Sequence, residues 1–160
     1  MEHVTIDAID PFTHPTGATS GGRALSEALG TTDVALNQYD LAPGESTSGG
    51  YHTHLDQEEI FYVLSGTMTF QTDAGEIEVS AGEAIRFAPG DYQHGTNQTS
   101  EQVTVLAIGA PDTKHDWDQI RVPIPCSECD ADALGVEFAS EGETRRLVCP
   151  DCGTKMDIPN

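Results

Sequence analysis

Apolar and polar residues alternate along several short runs in the middle of the chain, and turn residues separate the runs. In residues 67–71, for example, Met68 and Phe70 alternate with polar neighbours. A period of two is typical of a β-strand with one face packed inward and the other in solvent. The runs that we predict as strands span residues 35–41, 59–64, 67–71, 76–79, 84–87 and 103–108. Evenly spaced strands bounded by Gly or Pro predict an all-β barrel or sandwich.

The chain divides into four segments by composition. Residues 1–33 are predicted to be an N-terminal extension with an edge strand, and residues 34–110 form the barrel. Residues 111–124, rich in polar residues and ending near two prolines, are predicted to be a linker. Residues 125–160 are too few to hold a hydrophobic core of their own, so we expect a metal to stabilise this last unit.

Charge narrows the classes of partner. The 160 residues include 27 acidic and 7 basic side chains, which gives a formal net charge of −20. Such a charge argues against nucleic acid as a partner, because phosphate binding needs clustered Lys and Arg. It argues equally against docking on an anionic membrane. The acidity and the low Lys content favour a halophilic protein, since a salt-rich cytoplasm screens the repulsion between carboxylates.

The sequence of the N-terminus and the length of the apolar runs bear on where the protein is located in the cell. The first residues carry neither the basic start nor the apolar core of a signal peptide. No apolar run approaches the roughly 20 residues that span a bilayer. We therefore expect a soluble cytoplasmic protein.

Three histidines and one carboxylate make the first candidate metal site. His52 and His54 lie two residues apart on an extended segment, so their rings face the same side. Glu59 follows at the start of a predicted strand, with Glu58 as a competing carboxylate, and His94 follows a Pro-Gly turn. This donor set suits one divalent transition metal such as Fe, Mn, Ni, Cu or Zn, with positions left open for a small-molecule ligand.

The same residues resemble the first motif of the cupin family. That motif has an HxH, a few residues, Glu, six residues and Gly, which His52, His54, Glu59 and Gly66 match. Gly82, Pro89-Gly90, His94 and Asn97 loosely match the second motif, in which three residues separate His from Asn. Asn97 comes one residue early after His94, and Ser46 stands where the first motif has Gly. The resemblance covers roughly residues 34–110.

The resemblance implies a double-stranded β-helix, or jelly-roll, barrel with the four ligands around one metal. Cupins include oxygenases, isomerases and decarboxylases as well as non-catalytic binding proteins, so the catalytic residues stay unknown and no organic cofactor is expected. Many cupins are dimers, so a homodimer stays open. The remaining histidines, His3, His14 and His115, have no motif around them and are expected in loops or on the surface.

Four cysteines near the C-terminus make the second candidate metal site. They form two CxxC pairs, Cys126 with Cys129 and Cys149 with Cys152, which 19 residues separate. This spacing is typical of a zinc site, and the segment is similar to a zinc ribbon with a hairpin between the pairs. We expect one structural Zn there, with iron as the alternative for the same four thiolates.

Two functions stay open at this point. The first is a metal-dependent cupin enzyme. The second is a non-catalytic sensor of a small molecule, whose zinc ribbon contacts a partner protein. Residues 126–160 carry eight acidic and three basic side chains, a poor surface for nucleic acid. Packing of the ribbon against the protein's own barrel would count against the sensor.

Overall fold

The computed structural model describes residues 1–138 and 145–157, and β-strands dominate it. The strands of these residues are β1 (Gly22–Ala24), β2 (Ala35–Leu41), β3 (Thr53–His54), β4 (Glu58–Ser65), β5 (Thr67–Thr72), β6 (Gly75–Ser80), β7 (Ala84–Phe87), β8 (Gln93–Thr96), β9 (Val103–Ala110), β10 (Ile120–Val122), β11 (Leu134–Phe138), β12 (Arg145–Val148) and β13 (Lys155–Asp157). The all-β prediction is confirmed.

Helical structure is confined to short pieces within the described residues. The helix α1 (Leu25–Leu29) follows β1 directly and ends at Gly30, whose left-handed conformation allows the chain to turn back. Two 3₁₀ turns, Ile6–Ala8 and Trp117–Gln119, complete the set. None of these helices has the length and apolar character that crossing a membrane requires.

Two antiparallel sheets form the barrel. One has the strand order β1-β2-β9-β4-β7 and the other the order β6-β5-β8. In β9 every second residue is buried, beginning with Val103, as the period-two pattern predicted. The glycine between β4 and β5, Gly66, has φ +79°, a conformation that favours glycine, and a Cβ there would meet Val103 at 2.9 Å. The tight turn between these strands therefore depends on that residue.

The hydrophobic core lies between the two sheets. Phe61 of β4 and Phe70 of β5 are almost fully buried, and their ring centroids are 5.0 Å apart. Burying an aromatic ring of this kind stabilises a fold by roughly 1.5–3 kcal/mol. The other buried residues of this core are Tyr39, Leu41, Val63, Met68, Val79, Phe87, Val103, Val105 and Ala107.

A third sheet joins the cysteine-bearing segment to the barrel. Its strand order is β13-β12-β11-β10-β3, so the strands around the cysteines continue through β10 onto the strand that carries His54. β10 lies inside the predicted linker and pairs with β3 through Ile120 opposite His54. Leu134 and Leu147 are buried between the strands and the cysteines. The C-terminal segment therefore packs against the barrel through a continuous sheet.

Candidate functional site

The two histidines of the HxH motif point their rings at one another. β3 holds them in an extended segment, and the backbone of His52 exchanges hydrogen bonds with Gln93 at 3.1 and 2.8 Å. The Nε2 atoms of His52 and His54 are 3.1 Å apart, and both side chains are buried. The sequence pattern alone predicted this shared face.

Glu59 completes the group from the neighbouring strand. Its Oε2 lies 3.6 Å from Nε2 of His54, and it is carried by β4. One ligand atom from each of the three residues lies within 4.8 Å of the other two. Glu58 points away and forms an ion pair with Arg86, so the structure brings Glu59 rather than Glu58 to the histidines.

Burial sets the charges of this group. It lowers the pKa of His52 to about 4, although a hydrogen bond to the Gly50 carbonyl opposes the shift. Burial, together with His52 and His115, lowers the pKa of His54 to about 3. Burial raises the pKa of Glu59 to about 7, against a hydrogen bond that Gln93 donates. Near pH 7 both imidazoles are therefore neutral, which is the form that binds a metal.

The donor atoms fit a transition metal. Nδ1 of His52 lies 2.8 Å from the Gly50 carbonyl oxygen and donates to it, so the lone pair is on Nε2. This lone pair faces Nε2 of His54, and Nδ1 of His54 is buried without a partner among the described residues. Two neutral imidazole nitrogens and a carboxylate oxygen around one point suit Fe, Mn, Ni, Cu or Zn.

The three ligands lie on the wall of a cavity of about 360 Å³. Its size suits a small molecule. One part of the wall comes from the barrel and includes Tyr39 and Phe61, and another comes from residues outside the barrel, within 113–138 and 145–147. The cavity therefore lies between the barrel and the C-terminal segment.

Comparison with known proteins identifies the barrel. The family model described as Cupin domain matches residues 37–109. The protein contains a cupin domain. The resemblance inferred from the HxH motif and the jelly-roll fold are both confirmed.

Similar proteins include several isomerases. A glucose-6-phosphate isomerase of Thermococcus gammatolerans is 36% identical over 80 residues, which are 47% of this chain and 42% of that protein. The chain thus spans less than half the length of this curated relative. A sugar phosphate isomerase of Silicibacter pomeroyi has a TM-score of 0.62 at 20% identity, covering 97% of this chain and 92% of that chain.

A third similar protein is named for a different activity. A polyketide cyclase of Streptomyces resistomycificus has a TM-score of 0.65 at 22% identity, covering 80% of this chain and 88% of that chain. At such identities the two solved structures establish the shared fold, and a fold of this kind carries many activities.

His94 does not join the ligand group of the cupin domain. It lies on β8 opposite Gln71 and is half-buried, with its ring hydrogen-bonded to the backbone at Ser48, while burial lowers its pKa. Neighbours on a strand face opposite sides, and here Gln93 faces the cavity. Nε2 of Gln93 donates to Oε2 of Glu59 at 2.9 Å. The predicted group of four metal ligands is therefore reduced to three, His52, His54 and Glu59. The carboxamide of Gln93 lies beside them and contacts Glu59.

The position of Gln93 was visible in the sequence. Three residues separate it from Asn97, as the second cupin motif requires of its His, whereas His94 is one residue too close. Asn97 is fully buried and donates to the carbonyls of Leu41 and Glu101, which fixes the loop after β8. The motif spacing, rather than the residue type, identifies the side chain that reaches the site.

Two of the histidines expected in loops or on the surface, His14 and His115, lie in loops and also line the cupin cavity. The ring of His115 lies 4.7 Å from that of His54, centroid to centroid. Burial, together with nearby His115 and Arg145, lowers the pKa of His14 to about 4. Burial also lowers the pKa of His115. Sequence reasoning missed both because segments distant in the chain bring them to the cavity.

The C-terminal segment supplies an aromatic part of the cavity wall. The ring of Trp117 packs against His115 at 4.5 Å and against Phe138 of β11 at 4.3 Å. Phe138 and Leu147 of this segment also line the cavity. The cupin site is therefore bounded on one side by residues outside the barrel.

The four cysteines form a second cluster at the far end of the third sheet. Sγ of Cys126 is 3.6 Å from that of Cys152, and Sγ of Cys129 is 3.5 Å from that of Cys149. All four sulfur atoms lie within 4.8 Å of one another. Hydrogen bonds from Thr154 lower the pKa of Cys152 to about 6. The cluster is compatible with a small zinc module.

Proposed function

We propose that the protein is a metal-dependent enzyme of the isomerase type that acts on a small polyhydroxylated molecule in the cupin cavity. The observation that carries this proposal is the convergence of His52, His54 and Glu59 on one point at the cavity wall. The similarity to a glucose-6-phosphate isomerase over 80 residues supports the reaction class.

The three ligands would hold one divalent transition metal, which would supply Lewis-acid polarisation of a substrate carbonyl or hydroxyl group. Gln93 holds the Glu59 carboxylate in place through its 2.9 Å hydrogen bond. Tyr39, whose pKa burial and Glu59 both raise, presents a neutral hydroxyl group in the cavity. Phe61 and Trp117 add apolar surface to the cavity wall, which would help to exclude water from the reacting groups.

The cysteine cluster is proposed to hold one structural zinc ion. Four thiolates at tetrahedral spacing leave no position open, so this site would stabilise the fold without taking part in the reaction. Because the strands beside it continue into β3, its role would be to hold the outer wall of the cavity.

This packing counts against the sensor hypothesis. In a sensor, the ribbon would offer its surface to a partner protein, yet β10 joins the ribbon strands to the barrel. Phe138 and Leu147 face the cavity of this same chain. The enzyme hypothesis accounts for these contacts directly.

The test compares two adjacent carboxylates. Glu59→Gln removes a ligand, whereas Glu58→Gln removes a carboxylate that pairs with Arg86 away from the site. Metal content and the aldose–ketose interconversion of glucose 6-phosphate are measured on both variants and on the wild type. We expect Glu59→Gln to lose the cupin metal and activity, and Glu58→Gln to keep both. His94→Gln should also keep the metal.

Two results would contradict the proposal. Unchanged metal content in Glu59→Gln would remove the metal site. A fully loaded wild type that interconverts no sugar or sugar phosphate, but that decarboxylates oxalate or consumes O₂, would replace the isomerase with another cupin activity.

A further inference from the structure

The charges that line the cavity differ from those of the rest of the chain. The sequence has 27 acidic and 7 basic residues. Among the described residues that line the cavity, Glu59 is the one carboxylate, and Lys114 and Arg145 supply two basic groups. In a protein of net charge −20, this excess of basic over acidic groups makes the cavity an exception.

The other basic residues have partners elsewhere. Arg23 pairs with Asp40, Arg86 with Glu58, Arg146 with Asp157, and Lys155 with Glu137. Arg121 donates to the backbone carbonyls of Asp118 and Ile120. Within residues 1–138 and 145–157, the ion pairs include neither Lys114 nor Arg145. Lys114, Arg145 and Arg121 are therefore the basic residues that pair with no carboxylate of the described chain, and of these only Arg121 has its donors directed at backbone carbonyls.

Both Lys114 and Arg145 lie on the wall of the same cavity as the candidate metal ligands. Arg145 is near enough to His14 to affect its charge, and Lys114 is next to His115. His115 in turn packs on His54, with 4.7 Å between ring centroids. A molecule that fills this cavity of about 360 Å³ can therefore contact the cations as well as the candidate metal ligands.

We propose that Lys114 and Arg145 bind the anionic group, a phosphate or a carboxylate, of the molecule that occupies the cupin cavity. Arg binds such groups through paired N–H donors, and Lys adds a compact charge. The inference rests on the proposed function only in assigning that molecule as the substrate. Under this proposal, residues outside the barrel select for the anionic group of the bound molecule, while the barrel residues hold the metal.

The test measures binding rather than turnover. Trp117 is the single tryptophan of the chain and lies on the cavity wall, so its fluorescence reports occupancy. Metal-loaded protein is titrated with glucose 6-phosphate, gluconate and glucose, at the lowest KCl concentration at which it stays folded. These ligands share a sugar skeleton and differ in carrying a phosphate, a carboxylate or no charge.

Matched variants locate the binding of the anion. Arg145→Gln and Lys114→Gln remove the proposed contacts, whereas Arg146→Gln removes the neighbouring arginine, which pairs with Asp157 outside the cavity. We expect at least one anionic ligand to bind more tightly than glucose. Each cavity variant should weaken that binding by about tenfold or more, as loss of a charge-assisted contact does. Arg146→Gln should bind like the wild type.

The outcomes separate this inference from the proposed function. Tighter binding of glucose 6-phosphate alone identifies a phosphate, and tighter binding of gluconate alone identifies a carboxylate. Charge-selective binding without isomerase activity would support the anion site and contradict the isomerase. Equal binding of glucose and the anions, or equal effects of Arg145→Gln and Arg146→Gln, would overturn the anion site.

Discussion

Protonation distinguishes Glu59 from the two histidines beside it. Burial disfavours the charged form of all three groups, which lowers the pKa of His52 and His54 and raises that of Glu59. The imidazoles are therefore ready to bind a metal throughout the neutral range. Glu59, with a pKa of about 7, is the ligand that still carries a proton below neutrality.

This difference predicts how metal affinity depends on pH. Below about pH 7 a metal must displace the Glu59 proton, so affinity should fall by about tenfold per pH unit and level off above that pH. Calorimetric titration of metal-free protein with Mn²⁺ from about pH 5.5 to 8 measures the slope. Glu58→Gln should keep the wild-type slope, and Glu59→Gln should bind weakly at every pH. A flat wild-type profile would show that Glu59 is not the titrating ligand.

The residue types suggested which side chains could bind a metal, and their spacing along the chain indicated which of them share one site. His52, His54 and Glu59 follow from a period of two and from a family motif that this chain matches. The residue type favours His94 as a ligand, whereas its spacing from Asn97 does not. In the structure, the alternation along β8 turns His94 away from the cavity, as its spacing to Asn97 indicates.

At the level of elements, six barrel strands were predictable because each has its own hydrophobic period, whereas β8 has no such run and was not predicted. The runs at residues 35–41 and 84–87 coincide with β2 and β7, and the others differ from the observed strands by one or two residues at an end. β3 and β10 have two and three residues, too few to show any period. These two strands are the ones that connect the C-terminal segment to the metal ligands, so the shared cavity was not predictable.

The connection through β10 predicts that the cysteine site supports the cavity wall. In Cys126→Ser the C-terminal segment should lose its metal, and β11 should hold Phe138 less firmly against Trp117. Trp117 emission should then shift to longer wavelength, with stronger quenching by acrylamide, while the cupin metal is retained. Ser127→Ala, between the two cysteines of the same pair, should leave metal content and emission unchanged.

A different outcome would revise the role of the segment. If Cys126→Ser loses one metal per chain and Trp117 keeps wild-type emission and quenching, the sheet pairing alone holds the wall. The cysteine metal would then stabilise the hairpin locally.

For the whole molecule, acidity is a property of the surface. Residues 126–160 contribute −5 to the net charge of −20, so the excess is spread over the chain and is not concentrated in a tail. Exposed acidic residues repel one another over distances that salt controls, with a screening length of about 10 Å at 0.1 M salt and about 3 Å at 1 M. The described lining of the cavity carries two basic groups and one carboxylate, so its formal charge has the opposite sign to that of the chain.

The spread of charge predicts stability that depends on salt. Raising KCl from about 0.1 to 2 M should raise the midpoint of thermal unfolding by about 5 °C or more, because screening reduces repulsion that the compact state suffers most. Sucrose at matched osmolality strengthens burial without screening charge, so it should give a smaller increase. Circular dichroism during heating measures both midpoints. If KCl raises the midpoint no more than sucrose does, charge repulsion does not limit stability, and the acidic composition has no halophilic role.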